Sequence, residues 1–240
     1  MKFFIAVLLK NTQDGRVEVE KLRESLKITN ETFNEIMRDM VNEDALAFDN
    51  GVVELNREQR INLAVKAIRI GADAKTISEA LGWLEFEELV AFVFEENGFN
   101  THRRFRFNAE GRRWELDVLA TQYPYVVCAE CKHWTRGMGN TTARNIIETH
   151  VEKCEVFSRH IGDLLRRVKI QRWRNAIILP MTLTLSKTEM KIYRKVPSVN
   201  ILMLPSFLDG FQGQLERVVH FNVDLPEFKP KPHQTRLSST

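Results

Sequence analysis

Hydrophobic positions in the first 85 residues follow helical spacing, except in one segment that alternates. Residues 45–55 (ALAFDNGVVEL) form two alternating runs around Asp49-Asn50-Gly51, which is a strong β-hairpin signal. Thr29 or Asn30 offers an N-cap for the helix before it. We predict helices at Lys2–Lys10, Val19–Ser25, Glu31–Val41, Arg57–Ile70 and Lys75–Leu81. Three helices followed by a hairpin is the order of a winged helix-turn-helix, so a mostly helical, winged-helix-like domain is expected over residues 1–84.

A different pattern begins at about residue 84. We predict, in order, a helix at Glu85–Glu96, strands at Asn100–Phe107, Arg113–Ala120 and Tyr125–Lys132, a helix covering residues 147–168, and strands at Asn175–Pro180 and Val199–Leu204. The order α-β-β-β-α-β, followed by α-β-α, indicates an α/β (α+β) fold with a mixed sheet and helices on its faces. This domain is expected over residues 85–223, and the proline-containing residues 224–240 are expected to be a flexible tail.

Composition limits the class of protein. The 240 residues are 43% hydrophobic, enough for a sizeable core, and the net charge is only +3. Residues 1–85 carry 12 basic and 15 acidic residues, and residues 86–240 carry 23 and 17. Three cysteines indicate a reducing, cytoplasmic location rather than a disulfide framework. The longest apolar run, Phe3–Leu9, is far shorter than the ~20 residues of a membrane span and predicts a buried first helix rather than a signal peptide.

Two predicted neighbouring strands carry a set of acidic and basic side chains. Glu115 and Asp117 are two residues apart, so alternation predicts that they share a face, and Glu130 and Lys132 are related in the same way. If the strands form a hairpin, Asp117, Glu130 and Lys132 converge. Two carboxylates suit Mg²⁺, which binds through one or two carboxylates, phosphate oxygens and water. A lysine beside them can hold a phosphate or the attacking water. This set predicts metal-assisted hydrolysis of a phosphodiester.

Asp117 followed after twelve residues by Glu130-Cys131-Lys132 resembles the D…(D/E)xK signature of the PD-(D/E)xK nuclease superfamily. The restriction-endonuclease-like fold of that group has an αβββαβ core. The upstream segment Phe86-Glu87-Glu88-Leu89-Val90…Gly98-Phe99 is similar to a helix found in Mrr-like restriction endonucleases and archaeal Holliday junction resolvases. The resemblance covers about residues 85–205. Leu116 stands where the motif's name has proline, a departure that lowers the specificity of the match.

The resemblance implies roles for individual residues. Asp117, Glu130 and the backbone carbonyl of Cys131 would bind Mg²⁺, for which Mn²⁺ would substitute, and Lys132 would orient and activate the water. Glu87 would complete the site, with Glu88 as its competitor. Because a helix advances roughly 100° per residue, Glu87 flanks the apolar stripe of this helix while Glu88 falls on its far side. The pattern therefore favours Glu87.

Other residues support simpler interpretations. Cys128 and Cys131 are three apart on a strand, which directs their side chains to opposite faces, and no second cysteine pair completes a zinc site. Glu115 is equally compatible with a supporting role near the metal or with a solvated face. Trp134 either stacks on a base or packs against the loop that follows it, with packing favoured. The histidines His102, His150 and His160 have no partner pattern and are interpreted as surface or edge residues.

Arginines accumulate in the second part of the chain, where they suit a phosphate backbone. The residues that we expect to bind nucleic acid are Arg103, Arg104, Arg106, Arg113, Trp134, Arg136, Arg166 and Arg167. The presumed recognition helix of the amino-terminal segment is acidic, with Glu31, Glu35 and Asp39 against Arg38. We therefore favour a docking, dimerisation or regulatory role for that segment over DNA contact.

These observations predict a Mg²⁺-dependent endonuclease that hydrolyses DNA by in-line attack of water. The alternative is a non-catalytic or regulatory DNA-binding protein that uses a nuclease-fold core as a platform, and a pure interaction scaffold is a third hypothesis. DNA is the expected partner, no membrane association is expected, and a homodimer could form through the amino-terminal segment. The motifs leave open whether the DNA is duplex, modified, branched or single-stranded.

Overall fold

The computed structural model describes residues 1–132, 140–184 and 191–227. Its amino-terminal elements include a three-stranded antiparallel sheet. In chain order they are α1 (Lys2–Asn11), β1 (Arg16–Glu18), α2 (Val19–Leu26), α3 (Asn30–Asn42), β2 (Ala47–Asp49), β3 (Val52–Glu54), α4 (Arg57–Arg69) and α5 (Ala74–Ala80). The predicted helices are therefore confirmed to within one or two residues. The sequence pattern missed β1, a three-residue strand that pairs with β3 on the side away from β2.

The hairpin turn forms for the expected reason. Asn50 and Gly51 have φ values of 46° and 79°, the left-handed pair that a two-residue hairpin turn requires. At the start of α3, the Thr29 hydroxyl accepts a hydrogen bond from the backbone N–H of Thr32, as expected for an N-cap. Helix α1 buries Phe4, which packs with the other amino-terminal helices in one hydrophobic cluster.

The rest of the described chain is a mixed sheet with helices on both faces. Its elements are α6 (Trp83–Glu96), β4 (Asn100–Ala109), β5 (Arg112–Gln122), β6 (Tyr125–Lys132), α7 (Asn140–Val168), β7 (Asn175–Thr184), β8 (Lys191–Tyr193), β9 (Val196–Asn200), α8 (Leu204–Gly210) and β10 (Phe221–Asp224), with 3₁₀ turns at Ile201–Met203 and Phe211–Arg217. The strand order is β4-β5-β6-β7-β9-β8, and β10 pairs with β7. Strands β4 to β6 are antiparallel, while β6, β7 and β9 are parallel.

Helix α6 connects the two parts of the core. Leu89 packs in the cluster of the amino-terminal elements, whereas Phe86, Val90 and Phe94 pack with α8 on one face of the large sheet. Helix α7 covers the other face through residues such as Phe157. The two faces of the sheet are therefore both buried, which explains the continuous apolar runs of β6 and β7.

Three details differ from the sequence interpretation. Residues 199–204 do not form one strand: β9 ends at Asn200, whose side-chain oxygen accepts a hydrogen bond from the N–H of Leu202 and starts a 3₁₀ turn. The short strands β8 and β10 were not expected. Residue 224 ends β10 and Leu225 is buried, so the beginning of the predicted tail packs against the sheet, whereas residues 228–240 lie outside the described part of the chain.

Candidate functional site

Asp117 lies where regular strand pairing stops. The β4–β5 ladder pairs Arg103 with Val118 and Phe105 with Leu116 but omits the pair between them, Arg104 and Asp117. Arg104 has a φ of 48°, a left-handed conformation that is unusual for a residue with a side chain. On the other side of β5, the ladder with β6 ends at Val118 and Ala129. Asp117 is thus free of regular pairing on both sides, and its Oδ2 accepts a hydrogen bond of 2.8 Å from the N–H of Cys131.

The strict alternation of β5 breaks at the same place. Leu116 and Leu119 both pack in the cluster that includes α7, although they are three residues apart. Between these two leucines the alternation shifts by one residue, so β5 does not alternate regularly through Asp117. Glu115 is 39% exposed and pairs with Arg106 at the surface, which favours the solvated interpretation of this residue.

Glu130 and Lys132 lie together on β6, as alternation predicted. The Lys132 ammonium donates to Oε1 of Glu130 at 2.7 Å, and both residues are mostly buried. Glu130 follows directly after the last β5–β6 pair and faces the position of Asp117, whose pKa its charge raises. The structure therefore brings Asp117, Glu130 and Lys132 together.

Of the two candidate glutamates, Glu87 and Glu88, Glu87 is the one beside these residues. Its side chain is 4% exposed and accepts a hydrogen bond of 3.0 Å from Nε of Arg104. Burial raises the pKa of Glu87, and the charge of Asp117 raises it further, while Arg104 opposes both effects. Glu88 instead pairs with Arg57 at 3.1 Å and Arg103 at 3.5 Å. This arrangement agrees with the preference for Glu87.

The site also contains two basic residues of α7 that sequence reasoning missed. The Lys153 ammonium donates to Oε2 of Glu130 at 2.8 Å, and His150 Nδ1 lies 3.3 Å from the same oxygen. The other ring nitrogen of His150 lies 2.8 Å from the carbonyl oxygen of Cys128. The interpretation of His150 as a surface or edge residue is wrong, because its side chain is fully buried. Its spacing, three after Ile147 and four before Cys154, places it on the buried stripe of α7 and could have revealed it.

The two carboxylates have opposite electrostatic environments. Burial raises the pKa of Asp117, and the nearby charge of Glu130 adds to this rise, against the opposing effects of the Cys131 N–H, Lys153 and Lys132. Burial would also raise the pKa of Glu130, but contact with His150, Lys153 and Lys132 holds it well below its ordinary value. The ionised form of Glu130 is therefore favoured, whereas the ionised form of Asp117 is disfavoured.

A buried threonine hydroxyl lies on the strand next to Glu130. Thr182 of β7 is the register partner of Glu130 in the parallel β6–β7 pair, so both side chains point to the same face. Its Oγ1 is buried and has no hydrogen-bond partner among the described residues. An unsatisfied buried hydroxyl is costly and calls for an explanation.

The two cysteines of β6 lie on opposite faces of the sheet. Cys128 packs with α7 on one face of the sheet and Cys131 packs with α6 on the other, as their spacing predicted. Within residues 1–132, 140–184 and 191–227, no group of three or more His, Cys, Asp or Glu side chains is arranged to hold a metal ion.

Several of the expected nucleic-acid-binding arginines line two shallow depressions along β4, which is the end strand of the sheet path. One, of about 410 Å³, is lined by Arg106, Arg113 and Arg167 together with Phe107 and Asn108. The other, of about 580 Å³, includes Arg103 and Arg104 and shares Arg106 and Arg167. Arg166 is exposed near the end of α7. Trp134 and Arg136 lie outside the described residues.

Comparison with known proteins gives limited similarity. No protein family model matches the chain. An uncharacterized protein from Archaeoglobus fulgidus is 36% identical over 81 residues, which cover 33% of this chain and 63% of that protein. This chain thus spans less than two thirds of the length of that relative.

Three solved structures show weak likeness. A protein of unknown function has 17% identity and a TM-score of 0.30, with 45% of this chain and 49% of that one covered. A protein from Vibrio cholerae has 13% identity and a TM-score of 0.35, with 90% of this chain and 50% of that one covered. The small subunit of a heterodimeric restriction endonuclease has 12% identity and a TM-score of 0.28, with 65% of this chain and 79% of that one covered. These TM-scores are too low to define either the fold or the activity of this chain. Among the described helices, none is long and apolar enough to cross a membrane.

Proposed function

We propose that this protein is a metal-dependent DNA endonuclease that hydrolyses phosphodiester bonds by in-line attack of water. The observation that carries the proposal is the convergence of Asp117, Glu130 and Lys132 where strands β5 and β6 separate, with Glu87 beside them. The order α6-β4-β5-β6-α7-β7 supports a restriction-endonuclease-like core preceded by a winged-helix-like segment. The division into residues 1–84 and 85–223 and a homodimer formed through the first part belong to the same proposal.

Asp117 and Glu130 supply two carboxylates of the kind that binds Mg²⁺, or Mn²⁺ in its place, although the described residues hold no preformed group of three such side chains. Mg²⁺ in phosphate-processing sites is held by one or two carboxylates, and substrate phosphate and water supply the remaining ligands. Asp117 and Glu130 would provide the carboxylates, with the Cys131 carbonyl and Glu87 as the further ligands predicted. Burial and the charge of Glu130 raise the pKa of Asp117, so its ionised form is disfavoured, and a bound cation would offset that cost. The unpartnered Thr182 hydroxyl could bind water beside Glu130.

The bound ion, Lys132 and the arginines along β4 would have separate roles in the hydrolysis. The bound ion would supply Lewis-acid activation of the phosphodiester. Lys132, which is held 2.7 Å from Glu130, would bind and orient the attacking water and offset the negative charge that develops on the phosphate. The arginines along β4 would bind the flanking phosphates and position the strand without reading its sequence.

A cleavage assay tests this proposal. Duplex, branched and single-stranded DNA are incubated with Mg²⁺ and with wild type, Asp117→Asn or Lys132→Met. The matched control is Glu115→Gln, an exposed carboxylate two residues from Asp117 on the same strand. Both site variants should lose about 100-fold or more in rate, because such groups contribute several kcal/mol of transition-state stabilisation. Equal cleavage by all four proteins, or no cleavage of any substrate by wild type, would refute it.

One observation favours the second candidate, a DNA-binding protein that uses this core as a platform. Lys132, Lys153 and His150 all contact Glu130, so its charge is already compensated without a cation. Calorimetry with Mn²⁺ separates the two functions. Metal binding that is lost in Asp117→Asn supports the nuclease, whereas salt-sensitive DNA binding without carboxylate-dependent metal binding supports the platform.

A further inference from the structure

An exposed tryptophan lies at the start of α6. Trp83 is 55% exposed and the neighbouring Leu84 is 43% exposed. The helix start itself is ordered by Glu85, whose carboxylate accepts a hydrogen bond of 2.7 Å from the N–H of Gly82. Trp83 therefore presents its indole from a fixed backbone position. Tryptophan is usually highly buried, so a ring open to solvent on a rigid element is a candidate binding surface.

This ring is adjacent to the candidate active site. The Lys132 ammonium lies 5.9 Å from the centre of the Trp83 ring and 2.7 Å from Oε1 of Glu130. The Lys132 side chain thus lies between the indole of Trp83 and the carboxylate of Glu130. A phosphate held at Lys132 would leave its attached nucleoside within reach of the indole, because base and phosphate are joined through a single sugar.

We propose that Trp83 is a stacking platform for an unpaired nucleobase next to the phosphodiester bond that the site cleaves. This inference rests on the proposed function and adds a substrate class, single-stranded or locally unpaired DNA. In a continuous duplex, neighbouring base pairs cover both faces of each base, so an indole can stack only on a base that has left the stack or never entered it. Stacking accepts any base, which agrees with the proposal that the arginines along β4 would contact only phosphates.

The size of the effect follows from measured base–aromatic stacking, which corresponds to about tenfold or more in affinity for each base. Truncation of the indole should therefore weaken binding of single strands by about tenfold. Duplex binding, which would depend on the arginines along β4, should change by less than about twofold.

The experiment measures the dissociation constants of a labelled single strand and of a duplex of the same length by fluorescence anisotropy, without divalent metal. It compares wild type, Trp83→Ala, Trp83→Phe and the control Phe48→Ala, which removes another aromatic ring that is 52% exposed on β2. Circular dichroism checks that each variant is folded. We expect the single-strand constant to rise about tenfold in Trp83→Ala, to recover largely in Trp83→Phe, and to stay unchanged in Phe48→Ala.

Two outcomes would overturn the inference. Trp83→Ala could bind single strands as tightly as wild type, or it could lose single-strand and duplex affinity equally, which would assign the indole to general DNA contact or to another partner. The proposed function fails separately. The proposed nuclease function is refuted if Asp117→Asn cleaves as fast as wild type. If Asp117→Asn loses cleavage but Trp83→Ala cleaves single strands normally, only the stacking role of Trp83 is refuted.

Discussion

Replacement of Arg60 by methionine should destabilise the protein more than any surface charge change. Arg60 of α4 is 3% exposed and pairs with Glu85 of α6 at 2.6 Å. Its guanidinium also donates to the carbonyl oxygens of Leu9, Thr12 and Ala80, at 2.7 to 2.9 Å. One side chain of α4 therefore satisfies acceptors on three other segments, the end of α1, α5 and α6.

The magnitude follows from the burial of the pair. Removal of one partner from a buried ion pair leaves the other charge without compensation and costs about 3–5 kcal/mol. The Arg60→Met variant also leaves backbone carbonyls unsatisfied, so the cost should lie at the upper end of that range. By contrast, Lys66, which is also on α4, forms an exposed pair with Glu43 just after α3, and such pairs contribute about 0–1 kcal/mol.

Urea unfolding monitored by circular dichroism checks this prediction, with Lys66→Met as the matched control. We expect a loss of about 3–5 kcal/mol for Arg60→Met and less than about 1 kcal/mol for the control. The double variant Arg60→Met/Glu85→Leu should recover part of the loss, because no charge is then left buried. A loss below about 1 kcal/mol for Arg60→Met would show that the pair does not hold these segments together.

Three further predictions concern the site. Asp117→Asn should be more stable than wild type at pH 8, where the buried wild-type carboxylate is charged. This difference in stability should shrink as the pH falls through the raised pKa of Asp117 toward its ordinary value, because the folded protein binds the proton more tightly than the unfolded chain. Melting temperatures at several pH values test this prediction, and a difference that does not change with pH would contradict it. Lys153→Met should strengthen Mn²⁺ binding in calorimetry by about tenfold, since it removes the positive charge that neighbours the Glu130 carboxylate. Lys153→Arg is the control, and an unchanged Mn²⁺ affinity in Lys153→Met would count against a metal site at Glu130. Thr182→Val should raise stability by about 1 kcal/mol, because an unsatisfied hydroxyl is removed, yet lower the cleavage rate; equal loss of both would indicate a purely structural residue.

Local signals made much of the fold predictable. Asn50-Gly51 specifies its turn through backbone conformation alone, and the spacing of Glu130 and Lys132 fixes their common face once β6 is recognised. The short strands β1, β8 and β10 give no periodic signal, because three or four residues are stabilised only by the strand with which they pair.

The part of the site that sequence reasoning missed depends on contacts between distant segments. Lys153 and His150 reach Glu130 from another layer of the fold, across 23 and 20 residues of sequence. The break in alternation at Asp117 arises together with the left-handed backbone of Arg104 on the neighbouring strand. Helical spacing could have revealed that His150 is buried, but its contact with Glu130 and the break at Asp117 both depend on the assembled sheet.

The position of β4 at the end of the sheet has a consequence for solubility. An end strand exposes backbone groups that can pair with another sheet, and charged side chains are a common protection against such aggregation. Arg103 and Arg106 are each about half exposed along β4. These arginines are paired with Glu88 and Glu115, and the exposed charged side chains that would meet a phosphate backbone therefore also disfavour the docking of a second sheet on this edge. Neutralisation of these arginines should then promote edge-to-edge association as well as weaken DNA binding, and the protein would need them even when no DNA is present.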